Sequence, residues 1–397
     1  MMEMMEVVYL DNNATTALHP NVKLAIVEAL EAWGNPSSSN VFGKKAKEVV
    51  EVARGKLLKL FGGAQNQVVF TSGGTETNNW IISSVIEGFK CEGKKRVITS
   101  AFEHPSVLNP LREREAKSDI ELVELPIDSE TGRVDFTRLP KLLDQSTCLL
   151  TVMLANNETG VYQPLKEISD IVRASEFADR IVVHSDVAQV VGKRLVDIKD
   201  LGVDVITVVG HKFYGPRIGA LVWNEERLPF GMRPLLFGGG QESGYRSGTE
   251  NTPMVAGLGA AALEALGAAK QSKLISNRNG FEAKLKEIFG NSVKIHFEAS
   301  DRLENTTSAC FPDSVITACE IVEKASTFIA STGAACHATS ITPSAVLLAC
   351  GITEHEALRT IRFSFNTTEV AQRDISRIVE ELHILTTDRH LNAMGNK

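Results

Sequence analysis

The stretch STGAACHATS, residues 331–340, places a thiol, Cys336, among glycine, alanine, serine and threonine. It has no apolar neighbourhood to hide in as a small hydrophobe and no second cysteine close by. Such a thiol is presented to something, and it needs a lowered pKa if it is to act as a nucleophile. His337 beside it is a candidate helper, although a lone loop histidine is more often just solvated. Lys212 raises a similar question. It follows an apolar run and His211, and precedes FYGPRIG. A lysine at the end of a buried strand is costly unless paired or used, and a desolvated lysine has a lowered pKa and forms Schiff bases. Asp186 ends another apolar run 26 residues earlier, about one strand–helix–strand step, so the two project from neighbouring strands. In TSGGTETNN, Gly73, Gly74 and Thr75 lie between a strand and a helix, where backbone N–H groups, a hydroxyl and the helix dipole suit a phosphate. Each has an ordinary alternative: a glycine turn with a threonine cap, a snorkelling lysine, a capping aspartate. Together they meet the needs of pyridoxal phosphate, which requires a phosphate cup, a Schiff-base lysine and an acid opposite its pyridinium nitrogen. His104 is a candidate to stack on that ring, and Asn157 to hydrogen-bond its hydroxyl.

These residues need a frame that brings them together. Short β-branched runs each end in a polar cluster: VVF before TSGGTETNN, RVITS before AFEHPS, LLTVMLA before NNETG, IVVHS before DVAQ, DVITVVG before HKFYG. Helical patterns separate most of them, which predicts an α/β domain with a largely parallel, buried sheet. Ligands bind beyond the carboxyl ends of such strands, so the polar clusters converge on one site. HPNVKLAIVEALEAWG predicts an early helix, with Pro20 in its first turn, Gly34 past its end and a stripe of Val22, Ala25, Ile26, Ala29, Leu30 and Trp33. After about residue 255 a long helix leads away from the sheet domain. Thr342 and Pro343 open a helix ending at Gly351, and an amphipathic helix from about Thr368 to Leu385 closes the pattern. Residues 14–255 are expected to form the large cofactor-binding domain. Residues 1–13 and 256–397 are expected to form a smaller α+β domain carrying the Cys336 loop.

The 397 residues, 43% hydrophobic, are ample for a sizeable core, and the formal net charge of -7 argues against nucleic acid or an anionic membrane as partner. No apolar stretch is long enough to span a bilayer, and the start, MMEMMEVVYLD, lacks the marks of a secretory or mitochondrial signal. Six cysteines without C-x-x-C spacing fit a reducing compartment, which points to the cytosol, and argue against a metal site or a disulfide framework. Neither a P-loop nor a G-x-G-x-x-G fingerprint occurs.

YLDNNATT, WGNPSS, TSGGTETNN, EH, NNETG, GHKFYGP, RSGTEN and IRFS, in that order, resemble the NifS-like class V aminotransferase family of cysteine desulfurases and selenocysteine lyases. The resemblance runs from Tyr9 to Arg362, about nine-tenths of the chain. It implies the type I fold of pyridoxal-phosphate enzymes, with a mostly parallel seven-stranded sheet. It implies that Lys212 carries the Schiff base, His104 stacks on the ring, Asp186 pairs with the pyridinium, and Asn157 and Gln189 bind the ring hydroxyl. Gly74 and Thr75 would hold the phosphate, with His211 lining the same pocket. Arg362, with Asn157, would bind the substrate amino acid, and Cys336 would be the catalytic cysteine. Thr249 in RSGTEN matches a residue lent to the neighbouring subunit's phosphate site, which implies a homodimer with shared active sites. A selenium or sulfur acceptor protein is a further implied partner.

Three features point within this family to the selenocysteine-cleaving branch. The cysteine motif reads GAACH rather than the GSACTS usual in iron–sulfur desulfurases. Val209 stands where those enzymes carry a phosphate-binding serine. MLANNETG and VGHKFYGPRIGAL also resemble that branch. The rivals are a cysteine desulfurase, a plain aminotransferase and an inactive scaffold. Two departures stand out: Val187 replaces an alanine of the usual DAAQ, and SFNTTE after Arg362 is about two residues shorter than usual.

Overall fold

The computed structural model describes residues 7–63, 66–89, 93, 95–228, 231–268, 273–333, 335–337 and 340–387. In chain order the first strands are β1 (Val8–Tyr9), β2 (Asn66–Thr71), β3 (Arg96–Ser100), β4 (Glu121–Leu125), β5 (Thr147–Thr151), β6 (Val182–Asp186), β7 (Val205–Val209) and β8 (Gly219–Asn224). Strands β2 to β8 form a seven-stranded sheet in the order β2-β8-β7-β6-β5-β3-β4. Its strands β7, β6, β5, β3 and β4 pair in parallel, and only β8 runs against its neighbours β2 and β7. The fold is therefore α/β with a mostly parallel sheet. Strands β5 and β7 are buried along their whole length, as expected where helices cover both faces.

Those helices are α1 (Pro20–Ala29), α2 (Val41–Leu60), α3 (Gly74–Phe89), α4 (Pro105–Ala116), α5 (Leu139–Leu142), α6 (Leu165–Ala174), α7 (Ile198–Leu201) and α8 (Thr252–Ala268). Helix α8 packs on α1 and α2, and its Val255, Leu258 and Ala261 belong to the same core as Val183 and Val208 of the sheet. Helix α1 ends sooner than its apolar stripe suggests. Val22 and Ala29 are buried, but Leu30 and Trp33 lie beyond the helix, and Trp33 is 72% exposed and stacks on Phe42.

A second assembly follows. Strands β9 (Lys294–Ile295), β10 (Thr306–Cys310), β11 (Phe328–Ile329), β12 (Ser331–Thr332) and β15 (Thr360–Ser364) flank the hairpin β13 (Ala335–His337) and β14 (Ser340–Thr342). A four-stranded antiparallel sheet has the order β12-β15-β10-β9, and β11 pairs with β1. Helices α9 (Leu274–Phe289), α10 (Ala318–Lys324), α11 (Ala345–Ala349), α12 (Glu354–Ala357) and α13 (Gln372–Thr387) complete it. Leu10 joins Phe281, Phe311, Phe363, Phe365 and Ile378 in a separate apolar cluster. Thr342 lies in β14 rather than opening a helix. The cap of α11 is Ser344, whose hydroxyl accepts from the Leu347 N–H.

Candidate active site

Strands β2, β3, β5, β6 and β7 all point their carboxyl ends at one cleft of about 360 Å³. Gly74, Thr75, His104, Asn157, Asp186, Gln189, His211, Lys212 and Arg362 line it together. Residues far apart in the chain meet there because the sheet is parallel, not because the sequence brings them close.

At one end, α3 starts at Gly74 and presents Thr75 in its first turn. The glycine is required sterically, since a Cβ there would stand 2.6 Å from Val209 Cγ2. That approach leaves backbone N–H groups of the helix end open to an anion. His211, whose ring lies 3.1 Å from Thr15 Oγ1, adds a neutral donor or acceptor. Burial, with Lys212 and Arg217 nearby, lowers its pKa to about 4.

At the centre, the Lys212 Nζ donates to the backbone oxygens of Asn13 at 2.6 Å and Ala14 at 3.0 Å. Burial lowers its pKa from 10.5 to about 8, with Arg362 adding to the effect and Asp186 and Asp11 opposing it. A lysine so poised keeps a usable fraction of neutral amine near physiological pH, far more than an ordinary lysine. Asp186 ends β6; its carboxylate accepts from Asn78 Nδ2 and from the Ala188 N–H, each at 2.9 Å. His104 caps α4, its Nδ1 accepting from the Ser106 N–H at 3.1 Å. Burial lowers the His104 pKa, so the ring is neutral and suited to stacking. Gln189 donates to Asn13 O at 3.1 Å, while its Oε1 is buried with no partner among the described residues.

At the far end, Arg362 on β15 donates to Asp11 Oδ1 at 2.6 Å and to Asn157 O at 3.0 Å. Its guanidinium is nearly buried yet keeps N–H groups for a carboxylate. Asp11, Asn13, Asn78 and Ser106 are site neighbours that sequence reasoning missed. Their motifs, YLDNNATT, TSGGTETNN and AFEHPS, were visible, but nothing in the spacing assigned the individual residues.

The remaining positions lie elsewhere. Thr249 is exposed and does not line the cleft of its own chain. The backbone of Cys336 pairs with Ile341 in the β13–β14 hairpin, and its side chain lies outside the described residues. Val187 is buried in the core and stays clear of the cleft lining. Of the other thiols, burial raises Cys310 to about 11 and Cys350 to about 12, which keeps both as inert thiols. Cys91 lies outside the described residues. Among the described residues no cluster suits a metal ion, and no helix is long and apolar enough to cross a membrane.

The sequence pattern of aminotransferase class V matches residues 8–378. The chain belongs to that family, one of pyridoxal-phosphate-dependent enzymes. It is 40% identical to selenocysteine lyase of Rattus norvegicus, over 94% of this chain and 93% of that one. It is 38% identical to selenocysteine lyase of Homo sapiens (94% and 91%) and 35% identical to cysteine desulfurase IscS of Methanosarcina thermophila (94% and 90%). Among solved structures, a NifS-like protein superposes with a TM-score of 0.85 at 30% identity, covering 95% of this chain and 98% of that one. A NifS-like protein from Rickettsia africae gives 0.82 at 31% identity, covering 96% and 99%.

Proposed function

We propose that this chain is a pyridoxal-phosphate-dependent lyase that converts L-selenocysteine to L-alanine and hands selenium to a reduced acceptor. The observation that carries the chemistry is a lysine lowered to about 8 in the same cleft as Asp186. The cofactor fits what the chain offers. Gly74, where a Cβ would collide with Val209, and Thr75 open the start of α3 to an anion, Gln189 Oε1 awaits a hydroxyl donor, and Asp186 holds a carboxylate within the same lining. When bound, pyridoxal phosphate supplies an aldehyde for amine capture and a conjugated ring that spreads the electron pair left at Cα.

The chain's own residues do the rest. Lys212 Nζ would hold the cofactor and would take the proton from the substrate Cα. Asp186 would keep a proton on the ring nitrogen of the cofactor, and Asn78 orients Asp186. His104 would cover the ring. Arg362 and Asn157 fix the substrate carboxylate. The Cβ–Se bond breaks, Cβ gains a proton, and alanine leaves. Selenium departs at the oxidation level of the element, and a two-electron donor such as a dithiol reduces it to selenide. Cys336 either takes the selenium or donates a proton. A selenol ionises more readily than a thiol and a C–Se bond is weaker than a C–S bond, so discrimination can rest on proton placement rather than pocket size.

The identities of 38–40% to proteins named selenocysteine lyase support this substrate. The 35% relative named cysteine desulfurase supports a second reading, in which L-cysteine yields alanine and a persulfide for a sulfur acceptor. The exposed Thr249 and an exposed apolar surface including Phe237, at 84%, favour a homodimer with shared sites. The cytosol is the expected compartment. Borohydride reduction of the loaded protein followed by peptide mapping tests the assignment of Lys212. The label is expected on that residue, and a label on another lysine would refute it.

A further inference from the structure

We propose that Asn13 is a positioning residue that sets the free amine of Lys212 against the substrate Cα, by tying it to the carbonyl that also holds Arg362. Asn13 is 1% exposed and lines the cleft. Its backbone oxygen accepts from Lys212 Nζ at 2.6 Å and from Gln189 Nε2 at 3.1 Å. Its Nδ2 donates to Asn157 O at 3.2 Å and to Thr306 Oγ1 at 2.9 Å. Its Oδ1 accepts from Asn305 Nδ2 at 3.0 Å, and its N–H donates to Ser364 Oγ at 2.9 Å. Every polar group of the residue is therefore engaged. Asn157 O is in turn the acceptor for Arg362 Nη1 at 3.0 Å. One side chain thus joins the group proposed to take the Cα proton to the group proposed to fix the carboxylate.

The anchors belong to the second assembly. Thr306 on β10 and Ser364 on β15 face each other in the antiparallel ladder, and both hold Asn13. Asn305 and Thr306 are fully buried. Lys212 comes from the other assembly, just past β7. Ala14 O, its second acceptor at 3.0 Å, lies on the same short segment as Asn13. A buried polar network with every member satisfied rigidifies the groups it contains. A buried asparagine can serve the fold alone, but these contacts end on Lys212 and on the carbonyl shared with Arg362. The substrate carboxylate is bonded to Cα. Fixing Arg362 relative to Lys212 Nζ therefore fixes the gap that the Cα proton crosses. A misplacement of about 1 Å across such a gap costs about 100-fold in rate.

This inference rests on the reading of Lys212 as the amine that moves the proton, and the experiment separates the two. Alanine release is measured for the loaded wild-type, Asn13→Ala and Lys212→Ala proteins, with whichever of L-selenocysteine and L-cysteine is cleaved faster. The same substrate deuterated at Cα is run beside it. In cofactor-stripped protein, acetic anhydride labelling of Lys212 is timed by peptide mapping. Asn13→Ala leaves the backbone oxygen in place but removes the side-chain contacts to Asn157, Thr306 and Asn305 that hold it. It is expected to lower kcat about 10- to 100-fold with little change in KM. The deuterium effect on kcat should grow, because removal of the Cα proton becomes the slow step. A mere loss of folded protein would lower the rate and leave that effect as it was. Labelling of Lys212 should speed up, since the ammonium loses acceptors that favour its charged form. If Asn13→Ala is insoluble, Thr306→Val, which removes one anchor and keeps the shape, takes its place with the same expectation. An unchanged kcat, or a lower kcat with an unchanged deuterium effect, overturns the proposal. If the wild type cleaves neither substrate, or Lys212→Ala remains active, the reading of the lysine fails. The labelling rate then decides the anchor: faster labelling sustains it, and an unchanged or slower rate overturns it.

Discussion

Lys212 is the residue on which the chemistry turns, and its state follows from its surroundings. Burial and Arg362 lower its pKa to about 8, against the ordinary 10.5. Below that value the amine is protonated and cannot attack an aldehyde. The rate of pyridoxal phosphate capture by the apoprotein should therefore rise with pH and level off above about 8. A rate still climbing toward 10.5 would contradict the assigned environment. Asn78 offers a second test. Its amide donates to Asp186 at 2.9 Å and also to Ser106 Oγ at 2.8 Å. A hydrogen bond to a charged group contributes about 1.5–3 kcal/mol, so Asn78→Ala should weaken cofactor binding about tenfold or more. Titration of the apoprotein reads this directly, and unchanged affinity would remove Asn78 from the site. Lys212 and Asp186 were legible in the sequence because each is a charged residue closing an apolar run. Asp11 was not, because its partner Arg362 lies 351 residues away. Such a pairing exists only after β15 and the β1 segment have come together.

At the scale of elements, the join between β7 and α3 is the tightest feature of the cleft. Gly74→Ala would drive a methyl group against Val209 Cγ2. Overpacking of this kind costs about 1–3 kcal/mol. The substitution should weaken cofactor retention roughly in proportion, and adding Val209→Ala should restore most of it. Failure of the second change to rescue would show that the contact is not the cause. The strand runs were readable from their β-branched residues and polar ends. The reversed direction of β8 was not, because direction depends on its antiparallel ladders with β2 and β7. Helix ends were less legible. The stripe through Trp33 suggests a longer α1 than the chain forms, and the helix expected to open at Thr342 is capped by Ser344 instead. In the second assembly, Phe281 packs between Phe363 and Phe365, with centroids 4.8 and 5.5 Å away. Phe281→Ala should destabilise the protein by about 3–5 kcal/mol, read by denaturant titration. A loss under about 1 kcal/mol would mean that this cluster contributes little packing.

At the scale of the whole molecule, the apolar clusters divide the chain unevenly. The helix α8 joins the sheet core, while Leu10 joins the later cluster. The Arg362 end of the cleft lies where the two assemblies meet, since Arg362 comes from β15 and its partner Asn157 from the turn after β5. If sites are shared between subunits, Lys212→Ala and Thr249→Glu chains mixed into heterodimers should regain activity. One of the two sites then has both native residues. Mixtures no more active than the Thr249→Glu protein would argue for sites confined to one chain. The account's central claim concerns the substrate. Purified, cofactor-loaded protein should be given L-selenocysteine and L-cysteine in parallel under reducing conditions, and alanine release measured. Alanine from selenocysteine, with little or none from cysteine, is the predicted result; equal release from both would contradict it and make the chain a desulfurase that tolerates selenium.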